Sequence, residues 1–278
     1  MIISKITGGL GNQMFQYSVG RAVSLHHNVP LKLDISYYNK YRCHNGFRLD
    51  AFSLNCAIAN ADEVNKLKGK DTFTGKVSRK LIPRDTYLKE AVNNIYQSSV
   101  FGARNLYLDG YWQNYLYFDN IRDQLLLDFT LKNPVSSVPP LMERILETTS
   151  VSIHVRRGDY VNHPHIGMLG KKYYQEAVSQ IEKSVSDPTY FIFSNEMTWC
   201  RDKFSSLRNV VYVEGTESEL TDFQLMASCK HNIIANSSYS WWAAWSNETT
   251  NKIIIAPQNW LAHNPFNCSW ALPEWIQL

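Results

Sequence analysis

The chain has 278 residues and a mass of 32.1 kDa, and 44% of its residues are hydrophobic. This composition can bury a large core, and it excludes an intrinsically disordered chain. The formal net charge is only +3.

Positive charge is concentrated in the first half of the chain. Up to Asn133 there are 17 Lys and Arg against 11 Asp and Glu, and after it 11 against 14. The densest basic stretch runs from Lys66 to Lys89. Such a stretch is usually a solvated face, and less often it contacts anionic lipid or nucleic acid. We expect no nucleic-acid partner; a lipid contact would give peripheral association with the inner face of a membrane.

The cysteines and the apolar stretches bear on location. An odd number of cysteines without a CxxC pair argues against a disulfide framework and against a zinc site. No apolar stretch reaches the roughly 18 residues of a membrane span, and the apolar stretch at the N-terminus is too short for a signal peptide. We therefore expect a cytoplasmic protein. The five cysteines are Cys43, Cys56, Cys200, Cys229 and Cys268.

The N-terminal pattern predicts a strand, a glycine-rich loop and a helix. Ile2 to Ile6 is a short apolar strand, and Gly8, Gly9 and Gly11 form the loop. Asn12 is the predicted N-cap of the helix, which carries an apolar stripe at helical spacing.

A linker divides the chain. The segment from 37 to 129 gives no clear order of elements. Residues 132 to 140 contain three prolines and two serines without a periodic pattern, which is typical of a linker. We therefore predict an N-terminal domain of residues 1–132 and a C-terminal domain of residues 133–278.

The C-terminal domain alternates short apolar runs with helical patterns, which predicts a doubly wound parallel sheet. A capping box is predicted at Thr216 to Glu219. Since ligands bind outside the carboxyl ends of such strands, the loops after Val155, Phe193 and Ala235 should meet in one crevice. The predicted strands are Val151 to Val155, Tyr190 to Phe193, Val210 to Val213, Asn232 to Ala235 and Lys252 to Ala256.

Arg156, Arg157, Gly158 and Asp159 directly follow the first of these strands. Guanidinium groups present a rigid fork of donors to phosphate oxygens, and glycine permits a sharp turn beside them. This arrangement indicates a phosphate site. The alternative is that both arginines form surface ion pairs.

Ser237 and Ser238 follow the fourth strand, at the predicted start of a tryptophan-rich helix. Such residues most often only cap a helix. The second interpretation is that their hydroxyls and the helix N-terminus bind a diphosphate together with the arginines.

Other chemistries lack their motifs. Neither GxxxxGK[ST] nor GxGxxG is present, and no Asp-x-Asp occurs. His163 and His165 have no nearby metal-ligand partners. We therefore expect no metal and no cofactor, and arginine must neutralise the diphosphate.

Three blocks resemble the signature motifs of the α1,2-fucosyltransferases, glycosyltransferase family 11. They occur in the expected order and span nearly the whole chain. The blocks are GGLGNQMFQY from Gly8 to Tyr17, HVRRGDY from His154 to Tyr160, and NSSYSWWAAW from Asn236 to Trp245.

The resemblance implies a GT-B-like α/β fold of two facing Rossmann-like domains, with the donor site in the C-terminal domain and the acceptor on the N-terminal side. It implies GDP-β-L-fucose as donor and inversion at the anomeric carbon. The acceptor would be a galactose-terminated oligosaccharide or lipid-linked glycan, and an O-antigen is an expected product class. The HxRR segment is similar to that of α1,6- and protein O-fucosyltransferases.

The resemblance also implies residue roles. Arg156 or Arg157 would hold the β-phosphate, His154 would approach the guanine end, and Asp222 is a further guanine contact. The two serines would complete the diphosphate site. The predicted donor-binding residues are Gly9, Gly11, Asn12, His154, Arg156, Arg157, Asp222, Ser237 and Ser238.

The predicted catalytic residues are Arg156, Arg157, Asp159 and Asn12. The arginines would stabilise the departing GDP, and Asp159 is the candidate general base. Asp159 could equally orient an arginine through a salt bridge, and Asn12 could align donor and acceptor. Where members of the family often carry Ser-Asp-Asp, this chain has Ser-Asn-Glu at 194–196.

Two alternatives remain at this stage. One is a transferase that uses another GDP-sugar or forms another fucosyl linkage. The other is a non-catalytic carbohydrate-binding protein, suggested only by the eight Trp. The intact HxRRGD segment disfavours the second, because a lectin needs no diphosphate site.

Overall fold

A computed structural model describes residues 1–41, 45–69, 84–92, 94–133, 138–158, 167–261 and 270–278. The chain divides into two compact units, Met1–Asn133 and Pro134–Leu278, here called the N-terminal and C-terminal units. The predicted boundary lies one residue earlier, between 132 and 133.

The N-terminal unit is built on a parallel sheet. In its described part five strands are arranged in the order β3-β2-β1-β5-β4, and the pairings between them are parallel. Short 3₁₀ turns join several elements. The elements are β1 Ile2–Lys5, α1 Leu10–His27, β2 Leu31–Asp34, β3 Ala57–Ile58, α2 Ala61–Lys68, β4 Tyr87–Lys89, β5 Leu106–Asp109 and α3 Arg122–Asp128.

Helix α1 begins earlier than predicted. Gly8 has φ +76°, which glycine adopts without strain, and Gly9 is the extended N-cap, with no side-chain cap. The prediction of Asn12 as the N-cap is therefore wrong. Asn12 lies inside the first turn, where its Oδ1 accepts a hydrogen bond of 2.8 Å from Nε2 of Gln113.

A buried ion pair joins α1 to α3. Nε of Arg21 donates to Oδ2 of Asp128 at 2.9 Å, and both residues are under 10% exposed. The hydroxyl of Tyr17 donates to the same carboxylate oxygen at 2.7 Å. This carboxylate therefore fixes the first and last helices of the N-terminal unit against each other.

The C-terminal unit confirms the prediction of a parallel doubly wound sheet. In its described part six strands run in the order β11-β10-β9-β6-β7-β8. All five predicted strands are present, and each of their ends lies within two residues of its predicted position. The elements are α4 Pro139–Glu147, β6 Thr149–Val155, α5 Lys171–Glu182, β7 Pro188–Ser194, α6 Met197–Lys203, β8 Val210–Tyr212, α7 Glu219–Ser228, β9 His231–Ile233, α8 Ser238–Ser246, β10 Ile254–Ala256 and β11 Ile276–Gln277.

Two boundaries in this unit differ from the predictions. Pro139 and Pro140 belong to the first turn of α4 and not to a linker, because proline fits the first helical positions, whose N–H groups need no partner within the helix. The N-cap of α7 is Ser218, whose side chain accepts from the N–H of Thr221, so the capping box predicted to start at Thr216 is wrong. Thr216 instead hydrogen-bonds the Asp222 side chain.

The apolar face of α5 and the central strands form the core of this unit. Most of the tryptophans are also packing residues: Trp241, Trp242 and Trp245 of α8 are at most 2% exposed. The indole N–H of Trp241 donates to the carbonyl of Trp270 at 2.6 Å. Core residues include Val151, Ile153, Tyr174, Ala177, Ile181, Ile192, Ile233 and Ile255.

Candidate active site

The strand order places a topological switch between β6 and β9. The chain runs from β6 outward through β7 and β8, then returns to β9 on the other side of β6 and continues outward through β10 and β11. Parallel sheets bind ligands in the crevice at the carboxyl ends of the two strands beside such a switch. The loop after β6 carries the arginines and the loop after β9 carries the serines. The sheet therefore brings the two predicted phosphate-binding segments to the same edge.

The two arginines after β6 have different surroundings. The Arg156 charge acts on His154, whose pKa it lowers, and on Tyr239. The guanidinium of Arg157 lies 4.4 Å from the ring centroid of Trp199, in a cation–π contact. The two arginines therefore act on different groups, as expected for adjacent residues that continue a strand.

Asn195 supports the arginine loop, a role that the sequence did not reveal. Its Oδ1 accepts the backbone N–H of Arg157 at 3.3 Å. A Cβ at Gly158 would come within 2.4 Å of Nδ2 of Asn195, so a larger residue would displace the Asn195 side chain from its present position. The segment that departs from the family pattern thus has a structural role here, and its signal in the sequence was only its position after β7.

His154 is the last buried polar residue of β6. It is 5% exposed, and within the described residues its Nδ1 has no hydrogen-bond partner. Burial, with a smaller effect of the nearby Arg156 charge, lowers the pKa of His154 to about 3. The imidazole is therefore neutral at physiological pH, with one ring nitrogen able to accept a hydrogen bond.

Asp222 lies in the first turn of α7 and, like His154, has a buried side-chain atom without a described hydrogen-bond partner. Burial raises its pKa, which the hydrogen bond from Thr216 partly opposes. Its Oδ1 is buried and has no hydrogen-bond partner in the described part of the chain. A buried acceptor without a partner costs about 1–3 kcal/mol, so two such atoms in one region call for an explanation.

Tyr239, for which the sequence predicted no separate role, contacts His154 and lies near Asp222. Its ring centroid is 5.6 Å from that of His154, and its hydroxyl donates to the backbone carbonyl of Glu219 in α7. Burial raises the pKa of Tyr239, and the Asp222 and Glu219 carboxylates raise it further. The residue thus joins the start of α8 to the start of α7. Its place within the third motif was the available signal.

Ser237 and Ser238 lie at the start of α8, where the second interpretation requires them. Ser237 is the N-cap but makes no side-chain capping hydrogen bond, and it is 6% exposed. Asn236 fixes the preceding turn by donating to the carbonyls of Gly167 at 2.6 Å and Trp260 at 2.9 Å. These hydrogen bonds anchor the residue just before α8, and so fix where the helix begins.

The remaining predicted site residues lie elsewhere. Gly9, Gly11 and Asn12 belong to the N-terminal unit, in the loop and first turn between β1 and α1. Asp159, the candidate base, lies outside the described residues, as do His163 and His165. Most of the basic stretch from 66 to 89 also lies outside them.

The sequence profile described as glycosyl transferase family 11 matches residues 74–278. The chain belongs to this family. The match contains the second and third motifs, whereas the first motif, Gly8 to Tyr17, precedes it. The resemblance of the chain to family 11 is thus confirmed.

Proteins that are similar to this chain include two from Escherichia coli. An α1,2-colitosyltransferase is 32% identical, covering 100% of this chain and 99% of the relative. The O-antigen biosynthesis glycosyltransferase WbnK is also 32% identical, with 99% of both chains covered. A galactoside α-(1,2)-fucosyltransferase 2 of Hylobates lar is 28% identical over 96% of this chain and 76% of its own.

Solved structures share the fold at low identity. NodZ α1,6-fucosyltransferase soaked with GDP-fucose has a TM-score of 0.54 and 15% identity, covering 91% of this chain and 94% of its own. A variant of Arabidopsis thaliana FUT1 in complex with GDP has a TM-score of 0.51 and 13% identity, covering 91% and 69%. These similarities confirm the predicted GT-B-like α/β class.

Two further observations bear on the predictions for this family 11 chain. Among the described residues, no cluster of three or more His, Cys, Asp or Glu has the arrangement of a metal site. A search of the same residues finds no helix with the length and apolar character needed to cross a bilayer.

Proposed function

We propose that this chain is an inverting, metal-independent galactoside α1,2-fucosyltransferase that transfers L-fucose from GDP-β-L-fucose to the 2-hydroxyl of a terminal galactose. The observation that carries the proposal is the pair of buried atoms without described partners, Nδ1 of His154 and Oδ1 of Asp222. The Arg156 charge lowers the pKa of His154, and the charges of Arg156 and Asp222 both act on Tyr239. Membership of family 11 supports the reaction class.

The pair suits a guanine nucleotide. Guanine presents an amino donor on one edge and acceptors on the other. The Asp222 carboxylate can accept from guanine N–H groups, and a neutral His154 can offer one donor and one acceptor. Binding of the nucleotide would satisfy both buried atoms, which gives the site a reason to hold them without partners in the protein.

Arg156 is the residue that we assign to the diphosphate. Its charge acts on His154 and Tyr239, whereas Arg157 packs on Trp199. The N-terminus of α8, with Ser237 and Ser238, adds backbone donors and the positive end of the helix dipole.

The reaction breaks the bond between the fucose anomeric carbon and the β-phosphate oxygen. The acceptor hydroxyl attacks from the opposite face and loses its proton, and the bonding electrons leave with GDP, which inverts the anomeric configuration. Negative charge grows on the diphosphate in the transition state. A donor placed at such a charge is worth about 3 kcal/mol, or roughly a hundredfold in rate.

Metal independence is part of the proposal. Its support is the guanidinium group at the crevice and the absence of an Asp-x-Asp motif in the sequence. Transfer should therefore continue in EDTA at the rate seen before chelation. Loss of activity in EDTA, with recovery on addition of Mn²⁺ or Mg²⁺, would refute this part alone.

A second donor is favoured by one comparison. The α1,2-colitosyltransferase of Escherichia coli is 32% identical over the full length of this chain. Colitose is L-fucose without its 3-hydroxyl, so the same α1,2 reaction would proceed with a smaller sugar. The similarity to WbnK supports an O-antigen type of acceptor in either case.

The test is a competition between GDP-fucose and GDP-colitose at equal concentration, with galactosides that differ in the next sugar and its linkage. Mass spectrometry identifies the transferred sugar, and NMR of the product identifies the linked carbon. We expect fucose to be transferred in preference, to carbon 2 of galactose. Preferential colitose transfer would support the second candidate, and a product linked at another carbon would contradict both.

A further inference from the structure

A strained loop lies at the carboxyl edge of the N-terminal sheet. Trp112, in the loop after β5, has φ +56°, a left-handed conformation that is costly for a bulky residue. Its side chain is fully buried and packs edge to face on Tyr117, with ring centroids 5.8 Å apart. Strain of this kind is concentrated at functional sites and persists only where the surroundings enforce it.

Glu90 enforces the loop conformation. It directly follows β4, and its backbone N–H donates to the carbonyl of Asp109 at the end of β5. Its carboxylate accepts the backbone N–H of Tyr111 at 2.6 Å and that of Trp112 at 3.1 Å. The two oxygens thus hold consecutive peptide groups in the strained geometry.

Gly110 shows how closely the carboxylate approaches. A Cβ at this position would lie 2.3 Å from Cβ of Glu90, so no other residue fits without displacing the backbone. Burial raises the pKa of Glu90, while the backbone N–H groups of the loop lower it. Burying the Glu90 carboxylate costs free energy, and its hydrogen bonds are made to this loop. We infer that the conformation of the loop is important for function.

The loop presents polar and aromatic groups at its surface. The ring of Tyr111 is 43% exposed although its neighbours on both sides are fixed. Gln113 donates to Oδ1 of Asn12 at 2.8 Å and so orients the asparagine that the sequence identifies as a site residue. Tyr96, which is 40% exposed, packs on Tyr117, the same ring that Trp112 contacts. An exposed aromatic ring and an oriented amide side chain in one short loop supply the two kinds of contact, apolar and polar, that a sugar offers.

We propose that the loop Gly110–Asn114 binds the acceptor sugar, with Tyr111 as a contact for the sugar ring and Glu90 and Gln113 as positioning residues. The galactose would place its apolar face on the tyrosine ring and its hydroxyls toward the amides. This inference rests on the proposed function for the identity of the sugar, but not for the presence of the loop.

The test compares Tyr111→Ala and Tyr111→Phe with the wild type. Because the ring is exposed, its removal leaves the fold intact. Leu127→Ala is the control, since it removes a side chain of the same unit that is 67% exposed and lies in α3. We expect Tyr111→Ala to raise KM for the galactoside about tenfold. Tyr111→Phe, which keeps the ring, should have a KM for the galactoside close to that of the wild type, and KM for the donor should stay unchanged in both variants.

Glu90→Gln tests the positioning role. The amide replaces one acceptor oxygen by a donor that faces a backbone N–H, so the loop should loosen. We expect faster hydrogen exchange at 111–114 and a higher KM for the galactoside, with GDP affinity unchanged. A purely structural role would alter GDP affinity and thermal stability as much as acceptor KM.

Saturation-transfer NMR of the galactoside with GDP-loaded protein separates this inference from the proposed function. If the wild type transfers sugar and Tyr111→Ala keeps its acceptor KM within twofold, the loop assignment is overturned and the function stands. If the wild type binds galactoside through Tyr111 but transfers no sugar, the function fails and the assignment stands. Absence of galactoside binding to the wild type overturns the assignment.

Discussion

The two arginines after β6 carry the same charge but make different contacts. Arg156 acts electrostatically on His154 and Tyr239, while Arg157 lies over Trp199 and its backbone is held by Asn195. Lysine keeps the charge in both positions but loses the planar fork. The two single substitutions should therefore have different consequences.

We predict that Arg156→Lys lowers kcat about a hundredfold with a small effect on stability, because it weakens a contact that strengthens in the transition state. Arg157→Lys should lower the free energy of unfolding by about 1 kcal/mol through loss of the cation–π contact, and reduce kcat by less than tenfold. Steady-state kinetics and urea unfolding of both variants provide the measurement. A larger loss of kcat in Arg157→Lys would reverse the assignment.

His154 should make stability depend on pH. Its pKa is about 3 in the folded chain and 6.5 in the unfolded chain, so between these values the unfolded chain binds more protons. The contribution of His154 to the free energy of unfolding is therefore fully present above pH 6.5. It is lost as the pH falls from 6.5 towards 3, by at most about 1.4 kcal/mol per pH unit. We predict that the urea midpoint of His154→Gln changes less between pH 7 and pH 5 than that of the wild type.

Tryptophan fluorescence suits this measurement. Seven of the eight Trp lie after residue 133, so the signal reports mainly on the C-terminal unit that contains His154. Parallel pH profiles for variant and wild type would mean that the histidine is hydrated or paired in the folded chain.

The sequence predicted residue types at the site better than their contacts. Adjacent arginines after a strand indicated a phosphate site, but only the structure shows which guanidinium stacks on an aromatic ring. The roles of Asn195 and Tyr239 were missed because each depends on a residue that is distant in the sequence. Asn195 contacts Arg157, which is 38 residues away, and Tyr239 contacts His154, which is 85 residues away. Pairings across such distances leave no local pattern.

At the scale of elements, the N-terminal unit depends on a buried carboxylate between α1 and α3. Asp128 accepts from Tyr17, Arg21 and Gln124, with the last contact at 3.0 Å. Such a pair adds little over a well-packed apolar substitute, but breaking it leaves a buried charge without its partner.

We predict that Asp128→Asn destabilises the protein by about 3–5 kcal/mol, because Arg21 remains charged and buried. The control is Glu176→Gln, which breaks an exposed pair with Lys172 in α5 and should cost less than about 0.5 kcal/mol. Urea unfolding followed by circular dichroism compares the two. Equal small losses would show that water reaches the Arg21 guanidinium.

Element boundaries were predictable only where periodicity was strong. The strands of the C-terminal sheet were predicted because they are short, apolar and separated by helical patterns. The starts of α1 and α7 were misplaced, because several residues there could act as caps and tertiary contacts select among them. Gly8 takes the turn before α1, and Ser218 caps α7, leaving Thr216 to hydrogen-bond Asp222. The short strands β3 and β11, of two residues each, carry no detectable pattern.

At the scale of the whole molecule, two units of similar size carry different parts of the proposed chemistry. The crevice with Arg156 and Asp222 belongs to the C-terminal unit, and the loop with Tyr111 belongs to the N-terminal unit. If the donor site lies in the C-terminal unit, a nucleotide without the sugar should protect that unit selectively.

We predict that GDP slows hydrogen exchange in the loop after β6 and in the first turns of α7 and α8, measured by mass spectrometry of peptides. Backbone N–H groups at these positions gain hydrogen bonds or lose access to water when the nucleotide binds, so their exchange should slow severalfold or more. UDP is the control, because it keeps the diphosphate and lacks guanine. We expect UDP to protect the loop after β6 weakly and to leave the first turn of α7 unchanged, since Asp222 would have no guanine to contact. Protection by GDP in the loop from Gly8 to Asn12, with none after Val155, would place the donor in the N-terminal unit and overturn the assignment of Arg156 and Asp222.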